Sequence, residues 1–278
     1  MNSEPRIWLI TGATSGLGRA IAQAALDAGD TVIAAARRPD ALDALVTAHP
    51  DSVTPVELDV TDSRRIAAVV ADVILWHGRI DVLVNNAGRG LVGAVEETSD
   101  DDLRGLMELH FFGPATLTRA VLPHMRRQQS GAIVQISSMG GRLSFAGVGG
   151  YSATKFALEG LTEALAAEVR PLGITTMIVE PGAFRTGFST PSALLTSRPI
   201  EAYDAIVGPV RDNLHNDDGR QPGDPSKAAA AILTALNSDR PPLRLVLGTD
   251  AADMVDQSLR DQRSEFEAWQ SIARATAF

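Results

Sequence analysis

Arg6-Ile7-Trp8-Leu9-Ile10-Thr11-Gly12-Ala13-Thr14-Ser15-Gly16-Leu17-Gly18 decides the fold of this chain. Residues 6–11 are almost wholly apolar and read as a buried strand. The strand runs straight into a glycine-rich turn, and an alanine-rich helical segment follows over 19–28, ended by Gly29. Strand, glycine turn and helix in this order form the opening of a dinucleotide-binding unit. Gly12 permits the tight turn. Gly16 and Gly18 let the backbone approach a pyrophosphate at the helix N-terminus, where free N–H groups and the helix dipole favour anions. Thr14, Ser15 and Leu17 complete the candidate phosphate loop. The competing reading is a loop that needs only positive φ; the flanking strand and helix argue against it.

Outward from this stretch, strand and helix signals alternate. Residues 31–36 form a second strand ending at Ala36, Arg37 and Arg38. Dinucleotide folds often hold a ribose-binding acid here. The first acid is Asp40, beyond Pro39, and it reads as the cap of the next helix. Two guanidiniums and no carboxylate fit a 2′-phosphate, so NADP(H) is expected over NAD(H). Two ordinary surface charges would look the same. Residues 53–58 give a third strand closed by Asp59 and Val60, and Thr61 or Asp62 caps a helix running to about residue 77. A fourth strand, 79–84, ends in Asn85-Asn86-Ala87-Gly88, small and amide groups able to face a flat cofactor or brace the next strand. A helical stretch over 99–128 contains Gly113-Pro114. A fifth strand, 131–137, leaves Ser138 just beyond its end.

A glycine-rich connection, 139–150, leads to Tyr151-Ser152-Ala153-Thr154-Lys155 at the start of a helix. Residues four apart share a helical face. An ammonium beside a phenol lowers its pKa from about 10, which would make Tyr151 a proton donor and acceptor near neutral pH. Taken alone, such a pair also fits a solvated helix face. A sixth strand, 174–179, is followed by Glu180-Pro181-Gly182. Residues 187–225 are polar and rich in Pro and Ser, as in a lid or binding loop. A helix over 225–237 and a seventh strand over 243–247 return to the core pattern. The stretch 251–276 places Met254, Val255, Leu259, Phe266, Trp269 and Ile272 at helical spacing, an amphipathic helix for packing on the domain or on a partner subunit.

The pattern predicts an α/β chain: a single Rossmann-fold domain over 1–278. Its doubly wound, seven-stranded, mostly parallel sheet carries helices on both faces and right-handed crossovers. Ligands then bind outside the carboxyl ends of the strands, where the glycine turn, residues 85–88, Ser138 and Pro181-Gly182 all fall.

Composition narrows the classes further. With 278 residues, 45% hydrophobic, the chain can bury a large core. A net charge of -9 argues against a nucleic-acid partner, which needs clustered Lys and Arg. The chain has no cysteine, which removes disulfides and thiolate metal sites; no metal is expected. That absence and the short polar N-terminus point to a cytoplasmic protein, and no apolar run is long enough to span a bilayer.

Together these residues closely resemble the short-chain dehydrogenase/reductase family in its single-domain branch, strongly over 5–185. The carriers are Thr11-Gly-x-x-x-Gly-x-Gly18, Asn85-Asn-Ala-Gly88, Ser138, Tyr151-x-x-x-Lys155, and Pro181-Gly182 with Thr186. Arg37 and the long C-terminal part resemble the retinol and 17β-hydroxysteroid dehydrogenase group. The resemblance implies that Tyr151 is the general acid in reduction and the base in oxidation. Lys155 would lower the tyrosine pKa and hold the nicotinamide ribose, and Ser138 would donate to the substrate oxygen, with Ser137 the second choice. Asp59 and Val60 would contact adenine; Asn86, Ala87 and Gly88 would line the cofactor; Pro181, Gly182 and Thr186 would lie beside the nicotinamide. The family's usual asparagine before the fifth strand is replaced by His110, which either relays protons toward Lys155 or braces the helix. The resemblance also implies a homodimer or homotetramer built on helix contacts.

The expected substrate is a small carbonyl or alcohol. Met139, Leu143, Phe145, Phe184, Phe188, Leu194 and Leu195 would give it an apolar pocket, unless they are core. A cofactor-binding sensor without turnover is the rival class, and intact Ser138, Tyr151 and Lys155 argue against it. An epimerase or dehydratase would show different glycine spacing and a longer substrate region.

Overall fold

A computed structural model describes residues 4–278. In chain order the elements are β1 (Ile7–Thr11), α1 (Gly16–Asp27), β2 (Thr31–Ala36), α2 (Asp43–Ala48), β3 (Val53–Glu57) and α3 (Ser63–His77). There follow β4 (Val82–Asn85), β5 (Gly90–Val92), α4 (Asp100–Met107), α5 (Gly113–Gln128), β6 (Gly131–Ile136), α6 (Gly149–Val169) and β7 (Ile174–Pro181). The chain closes with β8 (Leu194–Thr196), α7 (Asp204–Asn216), α8 (Pro225–Leu236), β9 (Arg244–Leu247) and α9 (Thr249–Arg274).

Seven strands form one sheet in the order β3-β2-β1-β4-β6-β7-β9. Every neighbouring pair is parallel, so the sheet is wholly rather than mostly parallel. Alternate side chains of each strand enter opposite cores. Trp8, Ile10, Val32 and Val134 face a layer built on α1 and α8. Leu9, Ile33, Leu83 and Ile133 face a layer containing Val69 of α3, Leu117 and Val121 of α5, and Leu165 of α6. This is the doubly wound Rossmann architecture. Strand order reverses between β1 and β4, which opens a crevice at their carboxyl ends.

Local chemistry sets the element ends. Asp62, and not Thr61, caps α3: its Oδ1 accepts from the N–H groups of Arg64 and Arg65 at 2.9 and 3.0 Å. Asp40 does not cap a helix as expected. Pro39 takes the first position of a 3-10 turn, so the cap falls on the Arg38 backbone and Asp40 lies within the turn. Between α4 and α5 the helix widens into a π-turn, Glu108–Phe112.

The polar stretch 187–225 holds more structure than its sequence implies. β8 pairs with β5 in a second, two-stranded parallel sheet, and α7 spans thirteen residues. Three-residue strands are too short to show alternation, and α7 buries only Val207 around a Gly208-Pro209 interruption. Glu97 ties this region to the domain. Its carboxylate accepts from the N–H groups of Ala94 (2.7 Å) and Ile200 (2.8 Å) and from Arg211 Nη2 (3.1 Å). Burial would raise this carboxyl, but those donors outweigh it and hold the pKa below the usual range.

At the C-terminus, α9 buries only Ala251 and Val255. Its first two turns pack on the domain, and the apolar residues beyond them lie open.

Candidate active site

The turn after β1 is shaped by close approaches. Gly12 and Gly16 hold φ of +66° and +57°, in the region that favours glycine. A Cβ at Gly12 would lie 2.9 Å from Asn86 Nδ2, and one at Gly16 would lie 2.9 Å from Thr186 Cβ. A Cβ at Gly18 would overlap Asn86 Nδ2 and the Gly12 carbonyl. The first turn of α1 carries no acidic side chain, and the Ser15 hydroxyl does not cap it. Its leading N–H groups have no intrahelical acceptor, so the turn forms a cradle suited to a pyrophosphate.

Asn86 holds that cradle from below. Its amide donates to the carbonyls of Thr11 (2.9 Å) and Gly12 (3.1 Å). Thr11, the first residue of the motif, accepts the N–H groups of Asn86 and Ala87 on its hydroxyl at 2.9 and 3.1 Å. Arg37 and Arg38 are exposed just past β2. Beside them, Asp59 Oδ1 accepts from the N–H and hydroxyl of Thr61 at 2.9 and 2.8 Å. Burial raises the Asp59 carboxyl, but Thr61 and the Arg37 charge together bring it below its ordinary value.

On the far side of the crevice, α6 docks on the end of β6 through a single face. Tyr151, Lys155 and Glu159, each four apart, meet three consecutive residues. The Ser138 hydroxyl and the Tyr151 ring meet against Gly140, and the hydroxyl favours the phenolate. Lys155 Nζ donates to the Ile136 carbonyl at 2.9 Å. Ser137 Oγ donates to Glu159 Oε1 at 2.6 Å. Ser138 also accepts the Gly140 N–H at 3.0 Å, which fixes the chain beyond the strand.

Electrostatics here depart from expectation. Burial pushes the Tyr151 phenol up to about 12, offset in part by the Ser138 hydroxyl. The ammonium does not reverse this, because it is turned to Ile136 and lies 5.7 Å from the tyrosine ring centre. Burial also pulls Lys155 down to about 8, while the Glu159 carboxylate pushes the other way. Glu159 is a functional candidate that the sequence reading missed. It is buried, shares Arg244 Nη1 with Glu180, and its own carboxyl is raised by burial and by Glu180, against Ser137 and Arg244. The signal was its place on the face of Tyr151 and Lys155.

His110 lies in the π-turn and is 1% exposed. Its Nε2 accepts the Arg89 N–H at 3.1 Å, and its Nδ1 lies 2.8 Å from Thr154 Oγ1. The Thr154 hydroxyl donates to the Tyr151 carbonyl at 2.7 Å, so Nδ1 carries the ring proton and donates to it. Burial, then Lys155 and Arg89, hold this imidazole well below its usual pKa, and it is neutral. Its ring meets Tyr151 edge-on at 5.6 Å.

Pro181 and Gly182 end β7. A Cβ on Gly182 would overlap the Asp250 carboxylate, whose Oδ2 accepts the Ala183 N–H at 2.7 Å. Thr186 stands against Gly16 and closes the phosphate turn from the other side. Of the expected apolar lining, Phe188 packs on the Tyr151 ring at 5.9 Å. Phe184 and Leu194 are core residues: the first packs by Gly223 and Gly248, the second by Gly90. The structure thus gathers the glycine turn, residues 85–88, Ser138, Tyr151, Lys155 and Thr186 around one crevice, with His110 behind Tyr151. A phenol, an ammonium and a hydroxyl lie beside a turn of free N–H groups, an arrangement able to move a proton on a ligand oxygen. Among the described residues no helix is long and apolar enough to cross a membrane.

Comparison with known proteins agrees in chemistry. The sequence profile of the family described as short chain dehydrogenase matches residues 6–194. An oxidoreductase of Botryotinia fuckeliana, BOA17, is 39% identical over 98% of this chain and 99% of its own length. A 3-ketodihydrosphingosine reductase of Bacteroides thetaiotaomicron is 36% identical over 88% of each. Among solved structures, a short-chain dehydrogenase from Streptomyces avermitilis is 56% identical and covers 99% of this chain and 100% of its own, with a TM-score of 0.94.

Proposed function

The chain belongs to the short-chain dehydrogenase family of oxidoreductases, and from that premise we propose that it interconverts a hydrophobic ketone and its alcohol, using NADP(H). The observation that carries this reading is the docking of Tyr151, Lys155 and Glu159 on residues 136–138, across the crevice from the glycine turn. Arg37 and Arg38, with no acid at the end of β2, support the 2′-phosphate. One relative is a 3-ketodihydrosphingosine reductase, a keto-group reductase by name, and Phe188 over Tyr151 gives this site an apolar wall.

Bound nicotinamide supplies or accepts the hydride. Gly12, Gly16 and Gly18, backed by Asn86, would hold the pyrophosphate on the α1 N–H groups, with Thr14, Ser15 and Leu17 along the turn. Asp59 and Val60 would flank the adenine; Ala87, Gly88, Pro181, Gly182 and Thr186 would line the nicotinamide half. With a phenol near 12, Tyr151 is protonated at neutral pH and suited to giving its proton to the substrate oxygen in reduction. Ser138 donates to that oxygen as negative charge develops. Lys155 in its cationic form favours the phenolate left behind. A panel of hydrophobic ketones with NADPH tests the reading. Turnover of at least one member is expected; NADPH binding with none turned over would hand the site to a sensor.

In this reading the Glu159 carboxylate sustains the charge of Lys155 through its field. Because Lys155 titrates near 8 in the free protein, kcat/KM for reduction should hold below that pH and fall through it. Glu159→Gln keeps an acceptor for Ser137 but removes the negative charge, so the fall should move to lower pH with little loss at pH 6. An unchanged profile would remove Glu159 from this role.

For His110 the bracing role fits better than the relay. Both ring nitrogens are committed inside the protein, and the ring stays neutral. His110→Asn should therefore lower thermal stability while leaving the pH–rate profile in place; an altered profile at unchanged stability would restore the relay.

A further inference from the structure

We propose that Asp250, in the first turn of α9, is a positioning residue for the turn 181–186 that would carry the nicotinamide half of the cofactor; this inference rests on the NADP(H) reading above. The turn begins where β7 ends, next to the β6 end that bears Ser138. It closes with Thr186 against Gly16 of the phosphate turn. Backbone bonds hold most of it. The Gly182 N–H donates to the Leu247 carbonyl at 2.9 Å, the Gly223 N–H to the Ala183 carbonyl at 3.0 Å, and the Arg185 N–H to the Gly223 carbonyl at 3.1 Å. Phe184 is buried against Gly223 and Gly248. The Ala183 N–H is taken by a side chain instead: Asp250 Oδ2 accepts it at 2.7 Å. A backbone N–H on a carboxylate makes a charge-assisted bond, about twice as strong as a neutral one.

Two glycines make the slot for that carboxylate. A Cβ on Gly182 would overlap both Asp250 oxygens, and one on Gly248 would lie 2.6 Å from Oδ1. Gly248 also holds φ of +101°, in the region that favours glycine. An acid in the first turn of a helix ordinarily serves that helix's own N–H groups and dipole. Asp250 is spent otherwise. The cap position of α9 is Gly248, no side chain caps the helix, and the Asp250 oxygen crosses to a residue 67 positions away in the chain. The seating is firm because Ala251 and Val255, the buried residues of α9, lie in the same two turns. The packed start of α9 thus holds an acceptor on Ala183, between the strand ends that bear the reactive groups and Thr186 at the phosphate turn. Without that acceptor the turn keeps its bonds to Leu247 and Gly223 but loses the one that fixes Ala183, next to Gly182.

Two probes separate this role from a general loosening of the fold: NADPH, which has the nicotinamide, and 2′,5′-ADP, which has only the adenosine end with its 2′-phosphate. Asp250→Ala in the full chain should weaken NADPH about ten-fold in a fluorescence titration and leave 2′,5′-ADP within about two-fold by calorimetry. Asp250→Asn keeps an oxygen acceptor for Ala183 and should bring NADPH back to within about three-fold of the parent. In the cofactor-free protein, hydrogen exchange over 181–186 should be faster in Asp250→Ala than in Asp250→Asn, with the central strands unchanged. Equal weakening of both probes, or of neither, would overturn the positioning role and leave the cofactor reading standing on the parent's own binding. So would an Asp250→Asn variant as weak as Asp250→Ala. A parent protein that binds neither probe would end the NADP(H) reading, and this inference with it.

Discussion

Tyr151→Phe is expected to lower kcat for ketone reduction by roughly a hundred- to ten-thousand-fold, the usual contribution of a positioned general acid, while NADPH still binds. The variant deletes one hydroxyl and leaves the ring, so its packing on His110 and Phe188 survives. In the proposed mechanism the phenol is the proton donor; burial raises its pKa and the Ser138 hydroxyl offsets part of that rise. In the free protein its pKa lies near 12, so reduction finds the proton in place at neutral pH. Oxidation needs the phenolate and should gain with rising pH. Steady-state rates, paired with a fluorescence titration of NADPH, separate chemistry from binding. A variant that keeps full activity would remove Tyr151 from the mechanism.

The double variant Arg37→Ala/Arg38→Ala should raise KM for NADPH by about a hundred-fold or more and leave KM for NADH within a few-fold. A hydrogen bond to a charged group contributes ~1.5–3 kcal/mol, and two guanidiniums facing one phosphate double it. Both arginines are exposed, so the effect should shrink as salt rises. The neighbouring Asp59 feels the Arg37 charge and should titrate higher in the variant. Equal losses for both cofactors would mean that the arginines serve the turn and not the 2′-phosphate.

Much of the fold was legible because its signals are local and redundant. The apolar strand at 6–11 could only lead into the glycine turn, and the strand ends at Asn85, Ile136 and Pro181 carry their own motifs. A parallel sheet then forces those ends onto one edge. What escaped was set by tertiary context. β5 and β8 are three residues each and exist because they pair with one another. α7 shows almost no buried face. Asp40 lost its cap to the geometry of Pro39.

The site was legible in its residues and less so in its electrostatics. Spacing placed Tyr151 and Lys155 on one face, but it could not weigh burial against an ammonium turned to Ile136. The same spacing rule reaches Glu159, the next residue on the face of Tyr151 and Lys155, and the structure buries it. Gly182 was read as a cofactor residue, and its immediate neighbour is Asp250, brought there by α9 from the far end of the chain. No local pattern announces such a contact. The open stripe on α9 was legible as amphipathic, and only the structure divides its packed start from its free remainder.

The central claim is that hydride moves between a nicotinamide and a carbonyl carbon while Tyr151 moves the proton. Reduction of a ketone that is turned over, using NADPH deuterated at the transferring carbon, tests it most directly. The account predicts deuterium on the carbinol carbon of the product and a slower rate than with unlabelled NADPH when chemistry limits turnover. An alcohol product without deuterium at that carbon would contradict it.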